Sequence, residues 1–431
     1  MTHSPKTSLK KTNIPWIWEI PEDWEVKKLK FVFKYVTGGT PDSWKGSYYD
    51  ENGYNWITIS DMSGRYTGES KNKISALAIK EKNMRIVPRW SLLYSFKLSV
   101  WQLAFVSEDT YTNEAILAIL PRDWLNLDFW YYALQSYFDS NANENIYGAK
   151  IFNQFSIDNG LIISPPLLIQ STIAHFLDAK TEKISTLISN KKKLIDLLKE
   201  QKQSIIHQAV TKGIDKNAKM KDSEIPWIWE IPEDWEILKL KYTGKIINWS
   251  TPSSSEKDYW DWDIDWITPT DLGNSDDPNL YQSGRKITKL WLENCGTTIV
   301  PKNSIILSCR APIWSLGITT KDMCTNQGCK AFIVNSRVIY QYVYFHFIAY
   351  NEYLQSLWKW TTFQELSTTE FENSYFILPS IITQESIVEY IKKEAFQIDS
   401  AIYKIEQEIT LIEEYRTSLI YQAVTGKLSI S

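Results

Sequence analysis

Matching positions in the two halves of this chain carry side chains able to recognise a polar partner. Lys97 in SFKLS stands where Arg310 stands in SCRAP, and Asn113-Glu114 in TNEAILAI stand where Asn326-Gln327 stand in TNQGCKAF. Lys150 in YGAK answers Thr362 in KWTT, and Lys27, Lys28 and Lys30 crowd the basic run KKLKFVFK (27–34). Cations, carboxamides and hydroxyls of this kind make directional hydrogen bonds. They are not the constellations that make and break bonds. The chain has no GxxxxGK[ST] phosphate loop, no GxGxxG after a strand, no HExxH, no GxSxG and no paired His/Cys nucleophile. Acidic residues occur throughout, but no carboxylate pair repeats as an acid/base constellation. Four cysteines (Cys295, Cys309, Cys324, Cys329) without a CxxC pair, and four histidines, argue for buried thiols and no metal site. The residues point to a binder.

The elements that position these groups occur twice. IPWIWEIPEDWE fills 14–25 and again 225–236; WITISDM (56–62) is answered by WITPTDL (266–272), and VPRWSLLYSFKLSVW (87–101) by VPKNSIILSCRAPIW (300–314). A repeat of about 200 residues is a duplicated domain and not a solenoid array. Each half begins with short β-type runs broken by Gly, Pro, Asn and Asp and ends in a long helix. In the second helix Ile391, Ile398, Ile402, Ile405, Ile409, Ile412 and Leu419 follow alternating steps of four and three, joined by Ala395 and Ala423 with Arg416 as a polar intruder. In the first, Leu177, Ile184, Ile188, Ile195, Leu198 and Ile205 fall in the same phase, with Thr181, Lys191 and Lys202 among them. The charges complement each other. Residues 177–209 hold seven Lys against four acids, and 391–423 hold four cations against six acids. A one-sided stripe about 50 Å long needs a partner, so the helices are expected to pair, antiparallel. The boundaries read as a first domain 14–167, helix 168–213, linker 214–224, second domain 225–380 and helix 381–426. The fold class is α+β. At 431 residues and a net charge of −4, the chain has no apolar run long enough for a membrane span and no secretory h-region at its start, so a cytoplasmic location is expected.

The repeated phrase, WIT(I/P)(S/T)D, SCRAPIW, TNQGCKAF and the two helix ends in QAVT together make residues 14–428 resemble the specificity subunit of type I restriction–modification systems. The resemblance implies two target-recognition domains, each reading half of a split DNA sequence, with the helices fixing the gap. It implies no catalysis and no cofactor in this chain. Two modification subunits would carry S-adenosylmethionine and methylate adenine, and restriction subunits would cleave using ATP and Mg. Under that reading Lys97, Arg310, Asn113, Glu114, Asn326, Gln327, Lys150 and Thr362 are the candidates for base edges and phosphates, with Lys27, Lys28 and Lys30 for phosphate. Each also has a plainer reading: the asparagines as turn residues, the cations as solvated surface. The rival function is a non-catalytic scaffold whose aromatic-rich domains bind peptide or glycan, joined by an oligomerisation coiled coil.

Twenty Trp against sixteen Gly is an unusual balance. Trp249 aligns with Gly38, Trp360 with Gly148 and Trp90 with Asn303, so indoles stand where the other half uses residues suited to left-handed backbone. The resemblance implies a tendency to glycine at the places of Trp18, Trp229 and Trp314, to which the repeat adds Trp101. These seven are expected to be UGA codons read as glycine in the native protein; the alternative is a true exposed aromatic surface. Trp16, Trp24, Trp56, Trp227, Trp235 and Trp266 read as anchors that bury an indole.

Overall fold

The computed structural model describes residues 8–430 apart from 15, 97–101, 142, 145–149, 152–153, 226–227, 248–256, 273–276, 295–297, 310–314, 352 and 355–366. The chain forms two compact units, residues 1–190 with 407–431, and residues 191–406. Each is α+β. Each also takes one half of both long helices, Leu167–Lys212 and Ile381–Val424, so the unit boundaries fall inside the helices and not at the linker.

The two units repeat one topology. In the first, a five-stranded sheet runs Tyr35–Thr37, Ile116–Ile119, Leu92–Ser95, Leu103–Val106, Tyr66–Thr67, with only the last pairing parallel. In the second, the order is Gly244–Ile247, Cys329–Val334, Ile305–Ser308, Leu316–Thr319, Asn279–Leu280, again parallel only at the last pair. The short apolar runs become central strands because both of their faces are covered. In the second unit the two-residue alternation of a strand sorts the side chains. Ile305, Leu307 and Phe332 join Tyr342, Phe347 and Ile391 on the helical side, while Ile306 and Ala331 meet Ile267 and Met323 on the other. Cys309, Cys324 and Cys329 are buried in these layers, and burial pushes the Cys329 thiol well above its ordinary pKa.

The repeated phrase has the same task in both units. Ile17–Pro21 and Ile228–Pro232 are the second strands of two-stranded hairpins, and each is followed by a tight turn in which the Trp24 or Trp235 backbone N–H donates to the Pro21 or Pro232 carbonyl at 3.0 Å. Both indoles are buried. A long helix ends against each of them. The second long helix closes at Gly426, which has φ +73° and whose Cβ position would lie 3.2 Å from Trp24 and 2.5 Å from Pro21. The first closes at Gly213, φ +74°, 3.2 Å from Trp235 on the same measure. Left-handed closure of a helix favours glycine, and here a side chain would also collide. The QAVT segments just before these glycines bury Ala209, Val210, Ala423 and Val424. The Val424 carbonyl accepts from the Tyr137 hydroxyl at 2.8 Å in the first unit, and the Val210 carbonyl lies 3.4 Å from the Tyr342 hydroxyl in the second. Phrase and helix end are thus plug and socket. Trp24→Ala and Trp235→Ala are each expected to destabilise the unit they sit in by ~3–5 kcal/mol. Denaturant titration should show one transition moved and the other unchanged in each variant.

Along the helices, Leu177, Thr181, Ile184, Ile188, Ile409, Leu419 and Ala423 are buried in the first unit, and Ile195, Ile391, Ile398 and Ile402 in the second. Leu198, Ile205, Ile405, Ile412, Lys191, Lys202 and Arg416 are half-buried. In the second unit the later part of the first helix lies with the earlier part of the second, and in the first unit the reverse holds, which is an antiparallel pairing. Lys202, one of the two lysines in the seam, ends 2.8 Å from Asp399 on the other helix. Toward the end of the first helix the buried set shifts to Ile206, Ala209 and Val210. There the helix leaves its two-helix seam and enters a domain core, which covers a wider stripe than a heptad does.

Candidate nucleic-acid interface

In the first unit, the loops that follow the strands converge. The Asn113 backbone N–H donates to the Ile57 carbonyl at 3.0 Å, the Gly39 N–H to Thr112 at 2.9 Å, and the Phe96 N–H to Ala115 at 3.0 Å. Asn113 and its exposed neighbour Glu114 therefore sit beside the Gly38–Gly39 and Thr58–Asp61 turns. The second unit repeats the arrangement: the Asn326 N–H donates to Ile267 at 2.9 Å and the Cys309 N–H to Gly328 at 2.7 Å, with Gln327 exposed. The side-chain oxygens of Asn113 and Asn326 accept from the N–H groups of Ala115 at 3.1 Å and Gly328 at 2.9 Å. Each asparagine shapes its own turn while remaining half-exposed, so turn-shaping and recognition are not exclusive.

Lys97 and Arg310 follow Phe96 and Cys309 directly in the chain and lie, with Thr362, outside the described residues. Lys150 begins the short strand Lys150–Ile151, and its side chain is outside them as well. Lys27, Lys28 and Lys30 are exposed. Lys27 pairs with Glu25, and the Lys28 ammonium donates to the Asn159 side chain at 3.3 Å. These three are not tied to the Asn113 turn by any described hydrogen bond.

The repeated WIT(I/P)(S/T)D segment is a joint. Asp61 accepts from the Thr58 N–H at 2.8 Å and hydroxyl at 2.6 Å and, through its other oxygen, from the Lys71 N–H at 3.3 Å. Asp271 repeats this with Thr268 at 2.8 and 2.6 Å and with the Gly284 N–H at 2.8 Å. Each aspartate thus pins, next to the edge, the start of a cation-rich segment that motif matching passes over. Residues 71–85 hold Lys71, Lys73, Lys80, Lys82 and Arg85 against Glu81, and 285–302 hold Arg285, Lys286, Lys289 and Lys302 against Glu293. Counting charge in short windows of the two aligned halves would have found them.

The local electrostatics differ between the halves. In the first, Lys45 meets Glu81 at 2.6 Å and Lys82 meets Asp42 at 2.9 Å; the hydrogen bonds from Lys45 and Tyr48 hold the Glu81 carboxyl below its ordinary range. In the second, burial alone would raise the Asp265 carboxyl, but Lys321 at 2.6 Å and hydrogen bonds from Ser283 outweigh it and the group is held low. The Arg285 guanidinium stacks 3.6 Å from the Trp260 ring, which keeps a planar donor fork in a fixed attitude.

The family model for the type I restriction modification DNA specificity domain matches twice, over residues 21–197 and 232–411. The MjaIX type I restriction enzyme specificity subunit of Methanocaldococcus jannaschii is 36% identical over 162 residues, 37% of this chain and 38% of that one. The putative MjaX specificity subunit of the same organism is 25% identical over 453 aligned positions, covering 98% of this chain and 97% of that one. Among solved structures, a chain from a study of complex assembly and conformational transition of the type I R-M system superposes with a TM-score of 0.71 at 14% identity, covering 96% of this chain and all of that one. The HsdS subunit of Thermoanaerobacter tengcongensis gives 0.54 at 14% identity, over 95% and 98%.

Proposed function

Because the chain belongs to the type I restriction modification DNA specificity family, we propose that it is the non-catalytic, sequence-reading subunit of a type I restriction–modification complex. The observation that carries this is the duplicated edge: two units with one strand order, each presenting the same asparagine turn, joined through the same two helices. Two such edges suit a split target in double-stranded DNA, one half-site each, with the helix pair setting the gap. The active complex then needs two modification subunits holding S-adenosylmethionine and restriction subunits using ATP and Mg. The second long helix supports docking of the former. Phe396 and Tyr403 in one unit, and Leu411 and Tyr415 in the other, are exposed on that helix, and large exposed apolar groups suit a protein partner. No helix among the described residues is long and apolar enough to cross a membrane. Co-expression with the modification subunits of its system, followed by methylome sequencing, tests the reading. The expected result is methyladenine in one motif of two specified parts separated by a fixed unspecified gap. A methylated motif of one continuous part, or no methylation that depends on this chain, overturns it.

A further inference from the structure

We infer that the cation-rich segments beside the two edges are the main phosphate-gripping surfaces: Lys71, Lys73, Lys80 and Arg85 in the first unit, Arg285 and Lys289 in the second, where Lys286 is already paired with Asp265 at 4.0 Å. This rests on the DNA-reading function above and names the residues that hold the backbone. Both ends of the first segment are tied to the edge, at Lys71 through Asp61 and at Met84, whose side chain would lie 3.5 Å from a Cβ on Gly39. The second segment is tied at Gly284 through Asp271. The cations face away from the core: Lys71, Lys80, Arg85, Arg285 and Lys289 are exposed, while Ile74 and Ala78, or Ile287 and Trp291, point inward. Lys45 and Lys82 are already matched by Glu81 and Asp42, whereas Lys71, Lys73, Lys80 and Arg85 have no acidic partner among the described residues. The whole chain is acidic, with a net charge of −4, so attraction for a polyanion must come from local excesses such as these. Phosphate contacts fix register without reading bases. Their place beside a base-reading edge in both units is what that division of labour needs.

The test uses the full chain and a duplex of random sequence, with affinity measured across a salt series. Replacing Lys71, Lys73, Lys80 and Arg85 by Gln should weaken binding about tenfold or more and make the salt dependence shallower by roughly 0.9 for each phosphate that is no longer neutralised. Replacing Lys27, Lys28 and Lys30 by Gln should change it much less. A parent chain that does not bind duplex DNA sinks the function itself. A parent that binds, with the four-residue variant folded by circular dichroism and unchanged in affinity and salt slope, sinks only this assignment.

A different observation carries a second inference: positions 90 and 249 are glycine in the native protein, as UGA codons read in a variant code. Trp90 has φ +66° and its N–H donates to Val106 at 2.8 Å; its counterpart Asn303 has the same φ of +66° and the same 2.8 Å bond, to Thr319. The backbone there is left-handed in both units, where a bulky side chain is strained. Gly38, the counterpart of Trp249, is not left-handed as expected from its type, but it has no room for any side chain, since a Cβ would stand 1.8 Å from the Thr112 carbonyl oxygen. Trp18 and Trp229, expected to share this origin, are 79% and 83% exposed, whereas the anchors Trp24, Trp56, Trp235 and Trp266 are buried and Trp16 is half-buried. Trp101, Trp227, Trp249, Trp314 and Trp360 lie outside the described residues. The gene should read UGA at 90 and 249 and UGG at 24, 56, 235 and 266, and peptides of the native protein should carry glycine mass at the first two. Tryptophan mass at either overturns the inference.

Discussion

Inserting one heptad into each long helix, between Leu198 and Lys199 and between Ile402 and Tyr403, is expected to widen the gap in the recognised DNA by about three base pairs. Both half-site sequences should stay as they were. Seven residues add about 10 Å of helix, and a base pair rises about 3.4 Å. Both helices must be lengthened because they are antiparallel partners; adding to one alone would move Lys202 away from Asp399 and misalign every seam residue beyond it. A heptad keeps the seam in phase, whereas five residues would turn it by about 140° and bury charge. Methylome sequencing of cells carrying the lengthened protein and its modification subunits reads the outcome. An unaltered gap would show that the helices do not set it.

Acid should weaken the second unit through one buried imidazole. His346 is stacked between the Tyr350 ring at 4.3 Å and the Phe376 ring at 4.2 Å, and its Nε2 accepts from the Ile377 backbone N–H at 3.3 Å. Burial alone lowers its pKa to about 3. The unfolded imidazole titrates near ~6.5, so between these values the unfolded chain binds a proton that the folded chain refuses. Stability from this group is therefore complete above pH ~6.5 and falls by roughly 1.4 kcal/mol per unit as the pH drops toward 3. His346→Phe keeps an aromatic ring in the stack and removes the titration, at the cost of the bond to Ile377. Between pH 6.5 and 4.5 the parent should lose roughly 2–3 kcal/mol that the variant does not. Parallel pH profiles for the two would rule out His346 as the source.

Much of the architecture was legible beforehand because its signals are local and periodic. The short apolar run SIILS and the steps of four and three from Ile391 to Leu419 report burial whatever the chain packs against, and both sets of side chains are largely turned inward. The site was less legible. Asn113 and Asn326 stood out by repetition, but only the fold shows that each builds its own turn while lying at an edge. Lys27, Lys28 and Lys30 attracted notice as a dense run, yet the cations joined to that edge are the more dispersed ones at 71–85. Their links to it are the Asp61 carboxylate and Met84 beside Gly39, and spacing along the chain carries no trace of either.

From its sequence alone this protein is two copies of one domain, each with a long one-sided helix and a tryptophan-bearing phrase, because duplication and periodicity are written residue by residue. Tertiary structure decided where each helix ends. The second helix closes against Trp24 and the Tyr137 hydroxyl, 287 residues before Val424, and the first against Trp235 and Tyr342. Two identical phrases offer near-identical sockets, and nothing local tells a helix end which one to fill. That choice belongs to the packing of whole elements, where antiparallel pairing buries both stripes at once.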